Sequence, residues 1–445
     1  MPLAVINRVA LLFFLVLFGS MAWAQPKDNA PYSRLGIGEM FPQAFVNQAG
    51  TSGWGTAYND IYHLNLLNPA SFAFLQSTAF DIGFYAKYAR LKGGDEAADV
   101  WSGNLGYLAL GFPLKNPVNE SLEQKVRPFR WGMGFSLVPF STVGYNIETT
   151  EVQPGVDTTL NKFQGTGGTY RLNWSNGWKY KNLALGVNLS YFFGKLNYKR
   201  EVIFEDLGVA YQTLFDDAIS LSGVMWDAGA QYAWKFKKTN DEGERVFSGQ
   251  RLVFGATART SSSFRTNSSQ LYRGYNYNYP DGDTVVNVTG VIGHGRLPME
   301  WSAGIMFENN NKWRMGAEYR FSRWSEYENE AKENETLRDN WRVSGGVEYI
   351  PDANSYNNYA KRIRYRAGLF YETDPRSLKT ELRKYGLSLG TGLPVILPRQ
   401  QISFAHVALE VGYFGAPDEL RETFGRLSVS FTLNDNSWFF KRKFF

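Results

Sequence analysis

Arg362, Arg364 and Arg366 alternate with Ile363, Tyr365 and Ala367. In an extended chain residues spaced by two share a face, so these three guanidinium groups point one way while Tyr365, Ala367, Leu369 and Tyr371 point the other. Guanidinium binds carboxylates through paired hydrogen bonds. The triad could therefore grip the carboxylate of an amphiphile, or pair with the lumenal Glu318, Glu348 and Glu410. Other chemistry is scarce. The chain has no cysteine and three histidines, His63, His294 and His406. That excludes a disulfide scaffold, thiolate metal sites and a cysteine nucleophile. There is no His-x-x-x-His ligand pair and no phosphate loop. His406 faces the lumen with Glu410, four residues along the same face, which reads as part of a lumenal hydrogen-bond network. No catalytic residue, metal site or cofactor site is expected, and the protein is read as a non-enzyme. The 47 basic and 42 acidic residues are dispersed, without the clustered basic stripe a nucleic-acid partner requires.

The elements that carry these residues repeat every second position. In 183–193, Leu183, Leu185, Val187, Leu189, Tyr191 and Phe193 alternate with Ala184, Gly186, Asn188, Ser190 and Phe192. The segments 313–321, 341–349 and 405–413 alternate in the same way. Period two means strand, with one apolar and one polar face. The polar face carries Gly, Ser and Ala with isolated Arg and Glu, which suits a crowded wet lumen better than open solvent. The apolar face ends in aromatics, Trp313, Trp324, Trp341 and Tyr349, as the interfacial girdles of outer-membrane barrels do. Aromatic residues make up 16 % of the chain and glycine contributes 44 positions. The expected fold is all-β, a transmembrane antiparallel barrel.

Strands are expected to begin near 78, 100, 129, 168, 182, 222, 249, 300, 312, 340, 362, 385, 402 and 424. That makes fourteen, and bacterial barrels have even numbers. Short turns at 179–182, 309–311 and 396–401 alternate with longer connections at 149–166, 201–221, 266–298 and 325–339. Short turns mark the periplasmic side. The assignment is weakest for strand four, 169–179, and for the connections 116–127 and 237–248.

Residues 1–24 read as a cleaved signal peptide, with Arg8 before an apolar run and Ala22-Trp23-Ala24 fitting the A-x-A site. Residues 25–77 do not alternate, are rich in glycine and small, and still carry Phe41, Phe45, Trp54, Leu64, Leu66 and Leu67. A fourteen-stranded barrel is too wide to fill with its own side chains, so this segment is expected as a lumenal hatch. The barrel is expected over 78–434, and 435–445, ending in Phe445, as a periplasmic tail suited to recognition by barrel-assembly machinery. In the third strand, Leu137-Val138-Pro139-Phe140-Ser141 places a proline where a ladder needs a donor. A bend at Pro139, Phe140 and Ser141 and a gap beside that strand, facing the hatch, are expected.

Several motifs occur in a familiar order: a glycine-rich opening, Asn68-Pro69-Ala70, Leu297-Pro298-Met299-Glu300-Trp301, 343–349 and 365–371 followed by Asp374-Pro375. Together they resemble the FadL family of outer-membrane transporters of long-chain fatty acids and other hydrophobic compounds. The Pro31-Tyr32-Ser33-Arg34-Leu35-Gly36 opening and the 438–443 tail resemble a Bacteroidetes-type branch that also includes PorV-like proteins of a secretion system. The resemblance implies a fourteen-stranded barrel with an N-terminal lumenal hatch in the outer membrane of a Gram-negative bacterium. It also implies passive uptake of hydrophobic or amphipathic small molecules, with an inward kink of the third strand as a lateral exit into outer-membrane lipid. The alternative it carries is a barrel that escorts or holds exported proteins.

Overall fold

The computed structural model describes residues 30–435 apart from 115–127, 154–156, 205–210, 333–334, 377–379, 398–400 and five single positions. The expected signal peptide and the C-terminal tail beyond Asp435 lie outside the described residues. Fourteen strands close into one antiparallel barrel. In chain order these are β2 (Thr78–Gly93), β3 (Glu96–Pro113), β4 (Phe129–Gln153), β5 (Asp157–Tyr180), β6 (Leu183–Phe204), β7 (Gln212–Thr239) and β8 (Arg245–Arg259), followed by β11 (Glu300–Asn309), β12 (Trp313–Ser322), β14 (Asn340–Tyr349), β15 (Arg364–Thr373), β16 (Arg383–Leu397), β17 (Gln401–Gly415) and β18 (Arg421–Asp435). β8 pairs with β11, β12 with β14, and β18 closes onto β2 from Arg421↔Lys92 to Asp435↔Thr78. Closure pairs every backbone group along that seam, as lipid requires. No helix among the described residues is long and apolar enough to cross a membrane.

The alternation in sequence becomes inside and outside. Leu183, Leu185 and Leu189 are each about half exposed on the outer wall, while Ala184, Asn188, Ser190 and Phe192 are buried. Aromatic rings run side by side around the outer face at one end of the wall: Trp301 to Tyr319 at 5.4 Å, Trp341 to Tyr371 at 5.3 Å and Tyr385 to Tyr413 at 5.3 Å. Rings of this amphipathic kind sit at a membrane–water interface, so the barrel is an integral outer-membrane protein. Trp324 is not part of this belt. It lies in a short 3-10 turn, buried with Phe264, Tyr327 and Leu337.

The wall is lopsided. β11, β12, β14 and β15 have 10 residues each, whereas β4 to β7 have 22 to 28. The fourth barrel strand, expected over 169–179, runs from Asp157. The expected loop 266–298 is a hairpin of β9 (Ser262–Asn276) and β10 (Tyr279–Leu297). Beyond the membrane neither face need be apolar, so these extensions carry no hydropathic alternation to betray them. β7 pairs with β9 through 212–223 and with β8 through 227–239, so the sheet forks at the rim.

Residues 30–77 lie inside the barrel. Their one sheet contact is β1 (Glu39–Met40), paired with β4 at Thr142 and Ser141. The remainder is a four-residue α-helix (Val46–Ala49), two 3-10 helices and turns, whose backbone presses on the wall at inward glycines. A Cβ on Gly255 would stand 2.1 Å from the Thr56 carbonyl oxygen, and one on Gly186 2.3 Å from the Ala70 nitrogen. Glycine in a strand interior commonly marks such a close backbone approach. Gly255→Ala is therefore expected to displace the inner segment, so that limited proteolysis cuts within 30–77 while the barrel still shows heat-modifiable migration. Gly425→Ala, whose Cβ would meet nothing nearer than 4.0 Å, is expected to resist as the parent does.

Candidate functional site

The inner segment is fastened by a row of charges. Arg251, Glu308, Arg314, Glu348 and Arg366 face one another on five successive strands, β8, β11, β12, β14 and β15, each directly across from the next. The contacts run Arg251 Nη2 to Glu308 Oε2 at 2.7 Å, Arg314 Nε to Glu308 Oε2 at 3.0 Å, Arg314 Nη1 to Glu348 Oε1 at 2.9 Å and Arg366 Nε to Glu348 Oε2 at 2.7 Å. Arg364, two residues before Arg366, joins them. The wall thus sets four guanidinium groups against two carboxylates.

Asp60 of the inner segment supplies a further anion. Its Oδ2 accepts from Arg314 Nη1 at 2.6 Å and from Arg364 Nη1 at 2.8 Å, and its Oδ1 from the Tyr62 N–H and His63 Nδ1, both at 2.9 Å. Burial alone would raise the Asp60 carboxyl, but Arg364, His63 and Arg314 outweigh it and hold the group well below the usual carboxylate range. Burial pushes His63 down to about 4 against the pull of Asp60, leaving it neutral at pH 7. His406 takes a hydrogen bond from Arg366 Nη1 at 3.1 Å and packs edge-on against His63. Arg362 leaves the triad: it ends a 3-10 turn, Tyr359–Arg362, and lies over the Tyr359 ring. Of the three acids considered for the triad, Glu348 is the one that pairs with it. Glu318 instead accepts the Gly55 and Thr56 N–H groups at 2.8 and 2.7 Å.

Asn68, Pro69 and Ala70 form the second fastening. Asn68 Oδ1 caps the 3-10 turn Pro69–Phe74 by accepting from the Ala70 N–H at 3.0 Å, while its Nδ2 donates to the Thr56 carbonyl at 2.6 Å and the Ala230 carbonyl on β7 at 3.2 Å. Proline needs no donor at the first position of such a turn, and fully buried Ala70 fits against Gly186.

At Pro139 the third barrel strand, β4, changes partners. Its ladder with β3 runs from Gly132↔Pro113 to Leu137↔Leu108 and ends there. On the other side the register with β5 slips between Pro139 and Ser141, so Phe140 bulges. The inner segment meets the freed groups. Gln43 Nε2 donates to the Pro139 carbonyl at 2.9 Å, the Phe41 N–H to the Phe140 carbonyl at 2.9 Å, and Ser141 Oγ to the Ile37 carbonyl at 2.6 Å. A cavity of about 220 Å³ lies against this bulge, reaching Gly106, Tyr107 and Phe140. Seven basic and seven acidic residues line it, and most are paired, as Lys384 with Glu372 at 3.5 Å, Arg171 with Asp227 at 2.7 Å and Arg376 with Asp374 at 2.7 Å. Glu39 on β1 also faces it. Burial opposes ionisation of Glu39, but Lys87 and Arg376 outweigh it and bring the carboxyl down to about 2.

One family model, described as BamG, matches residues 5–445. The chain belongs to the BamG family. No curated protein matches it in sequence. Among solved structures it is similar to a Pseudomonas aeruginosa FadL homologue (14 % identity, 88 % of this chain and 98 % of that one, TM-score 0.55). It is also similar to the Ralstonia pickettii toluene transporter TbuX (13 %, 88 % and 99 %, 0.52) and to the CymD monoaromatic hydrocarbon channel (14 %, 90 % and 99 %, 0.51). This BamG-family chain therefore has the FadL-type fold: a closed fourteen-stranded barrel. Sequence reasoning did not single out Asp60. Its signal is present in 54–68, where Asn59, Asp60, His63, Asn65 and Asn68 interrupt an otherwise apolar stretch. So many polar residues in a buried run demand partners.

Glu348→Gln leaves Arg314, Arg364 and Arg366 short of a counter-charge. It is expected to cost about 3–5 kcal/mol, the range for breaking a buried ion pair from one side, read as a lower thermal midpoint in detergent. Acid should loosen the inner segment. An undocked His63 binds a proton near its ordinary 6.5 while the docked one resists to about 4. Docking is therefore strongest above pH 6.5 and weakens as pH falls from 6.5 to 4, by at most about 1.4 kcal/mol per pH unit. Ion conductance in planar bilayers is expected to rise between pH 7 and pH 4.5. A flat profile would show that His63 does not report docking.

Proposed function

We propose that this chain is an outer-membrane barrel that acts as a protein-binding component of barrel-assembly machinery. The observation that carries the proposal is the filled and ion-paired lumen. The inner segment is bonded to β7, β11, β12, β14 and β15 through polar groups, and the remaining cavity sets seven basic and seven acidic residues beside apolar ones such as Phe41, Leu66 and Phe140. An apolar cargo entering that cavity would strip water from ion pairs and return no hydrogen bond. The BamG designation of the family points the same way, and the reading narrows the protein-escorting alternative raised by the PorV-like resemblance. With Arg364 committed to Asp60 and Arg366 to Glu348, Arg364 fastens the inner segment, Arg366 balances the wall, and neither serves as a carboxylate grip.

The end of the β3–β4 ladder at Leu137 and the cavity behind it favour a second reading. In it, hydrophobic or fatty-acid-like molecules diffuse passively through the barrel and leave sideways past Pro139, Phe140 and Ser141, with the inner segment as gate. The two readings separate on native purification from outer membranes. Stoichiometric barrel-assembly proteins, together with a fall in other outer-membrane barrels when this chain is depleted, are expected. Purification without a protein partner, combined with saturable oleate uptake into liposomes carrying the pure barrel, would overturn the proposal in favour of the channel.

A further inference from the structure

β2 is the first strand of the barrel and β18 the last, and their ladder is the seam that closes the wall. Odd positions of β18 and even positions of β2 face outward along it. Leu433, Phe431 and Leu427 are exposed on one side of the seam and Phe84 on the other, as a lipid-facing wall requires. The aromatic belt flanks the seam, with Tyr413 before it and Tyr88 after it, the Tyr88 ring 4.9 Å from that of Trp101. The tight turns 181–182 and 310–312 mark the opposite, periplasmic end. At the external end the seam passes the belt at Thr423↔Arg90 and stops one outward row later, at Arg421↔Lys92.

That last row sets two cations against each other. Arg421 and Lys92 are both exposed, both on the outer face and directly opposite across the ladder. Like charges in that position are destabilising. The wall does not offset them. Arg421 Nη2 donates to the Pro417 carbonyl, and neither Arg421 nor Lys92 pairs with a carboxylate among the described residues. The acid nearest in the ladder, Glu422, faces inward and is held by Lys87 at 2.8 Å. More cations stand beside the pair. Arg383 on β16 lies across from Gly415, which puts no side chain between Arg383 and Arg421, and its contact with Glu381 is 3.9 Å between two exposed groups. Arg90 is across from Asp99, whose carboxylate accepts from the Tyr88 hydroxyl at 2.9 Å.

We propose that Lys92, Arg421 and Arg383, with Arg90 one row nearer the belt, bind a phosphate-bearing lipid headgroup of the outer leaflet. The occupant follows from the height of the site. The wall below these residues is in lipid, the aromatic belt marks where headgroups begin, and the next outward row is at the level of the headgroup phosphates. Guanidinium takes phosphate through paired hydrogen bonds and ammonium takes it as a point charge. One phosphate between Arg421 and Lys92 turns their repulsion into a bridge that ties the last strand to the first. Arg383, two strands away at roughly 10 Å, is placed for a second phosphate of the same headgroup, so a diphosphorylated glycolipid fits best. The inference goes beyond the protein-binding reading and does not depend on it.

The test is a titration of the full barrel in detergent with diphosphorylated lipid A, with its dephosphorylated form and with inorganic phosphate. Bound lipid is counted by native mass spectrometry, and hydrogen exchange is followed at 90–92 and 421–423. The parent is expected to bind the diphosphorylated lipid at least about tenfold more tightly than the dephosphorylated one, and exchange at the seam end is expected to slow as it binds. Lys92→Glu sets opposite charges across the seam and breaks the cation cluster. It is expected to fold with heat-modifiable migration, to hold the seam end closed without lipid and to bind the diphosphorylated lipid at least about tenfold more weakly. If that variant does not migrate as a barrel, Arg383→Gln, which lies off the seam, is expected to weaken binding about fivefold. Equal affinity for the two lipids overturns the inference, as does parent-like binding by the folded variant. Equal slowing of exchange by inorganic phosphate also overturns it, since the site would then take a free anion and not a lipid.

Discussion

Arg314 and Arg364 reach one carboxylate from two strands, and that carboxylate belongs to neither. Asp60 arrives from the inner segment, at 2.6 and 2.8 Å, fully desolvated among the groups it bonds. A buried cation without a partner costs several kcal/mol. The wall of β8, β11, β12, β14 and β15 is therefore built with an excess of positive charge that the inner segment answers. What charge is left over falls to Arg251 at the end of the row, whose side chain is 18 % exposed and can be reached by water. Segment and wall depend on each other: removing either leaves the other with charges it cannot satisfy.

The same dependence recurs in uncharged form. The inner segment has almost no regular secondary structure, so its backbone groups need partners. The wall provides them through Glu318 to Gly55 and Thr56, Gln231 to the Thr56 and Tyr58 carbonyls, and Ser388 to Ser52. In return Gln43 and Phe41 satisfy the Pro139 and Phe140 carbonyls of β4 beyond the end of its ladder with β3 at Leu137, and Ile37 accepts from the Ser141 hydroxyl. A proline in a closed barrel is tolerable because something inside the barrel bonds to the bulge it causes. Where cavity and bulge meet, Met40, Phe41, Val46, Tyr107 and Phe140 line the lumen, and the paired charges stand around them.

Much of this was legible before any coordinates. The alternation of 183–193, 313–321, 341–349 and 405–413 marks strands whose outer face must be apolar because it meets lipid, and the count of fourteen follows from such segments. The polar reaches of β5, β9 and β10 were not legible, because above the membrane neither face is constrained. Trp324 misled for the opposite reason. An aromatic next to a strand end looks like girdle whether it points out to lipid or folds into the lumen. The arginine pair was visible, since spacing by two puts Arg364 and Arg366 on one face. Its partner was not, because 304 positions separate Asp60 from Arg364 and no local pattern encodes which lumenal charge a non-repetitive segment will meet.

The claim that segment and wall form one ion-paired body is tested most directly by a double-mutant cycle on Asp60→Asn and Arg364→Gln. The free energy of releasing the inner segment would be read from native-state hydrogen exchange of amides in 50–68. The account predicts strong coupling: each single change loosens the segment, and the pair together costs less than the sum by about 1–3 kcal/mol. Additivity within about 0.5 kcal/mol would contradict it, and would mean that the inner segment is held by packing alone.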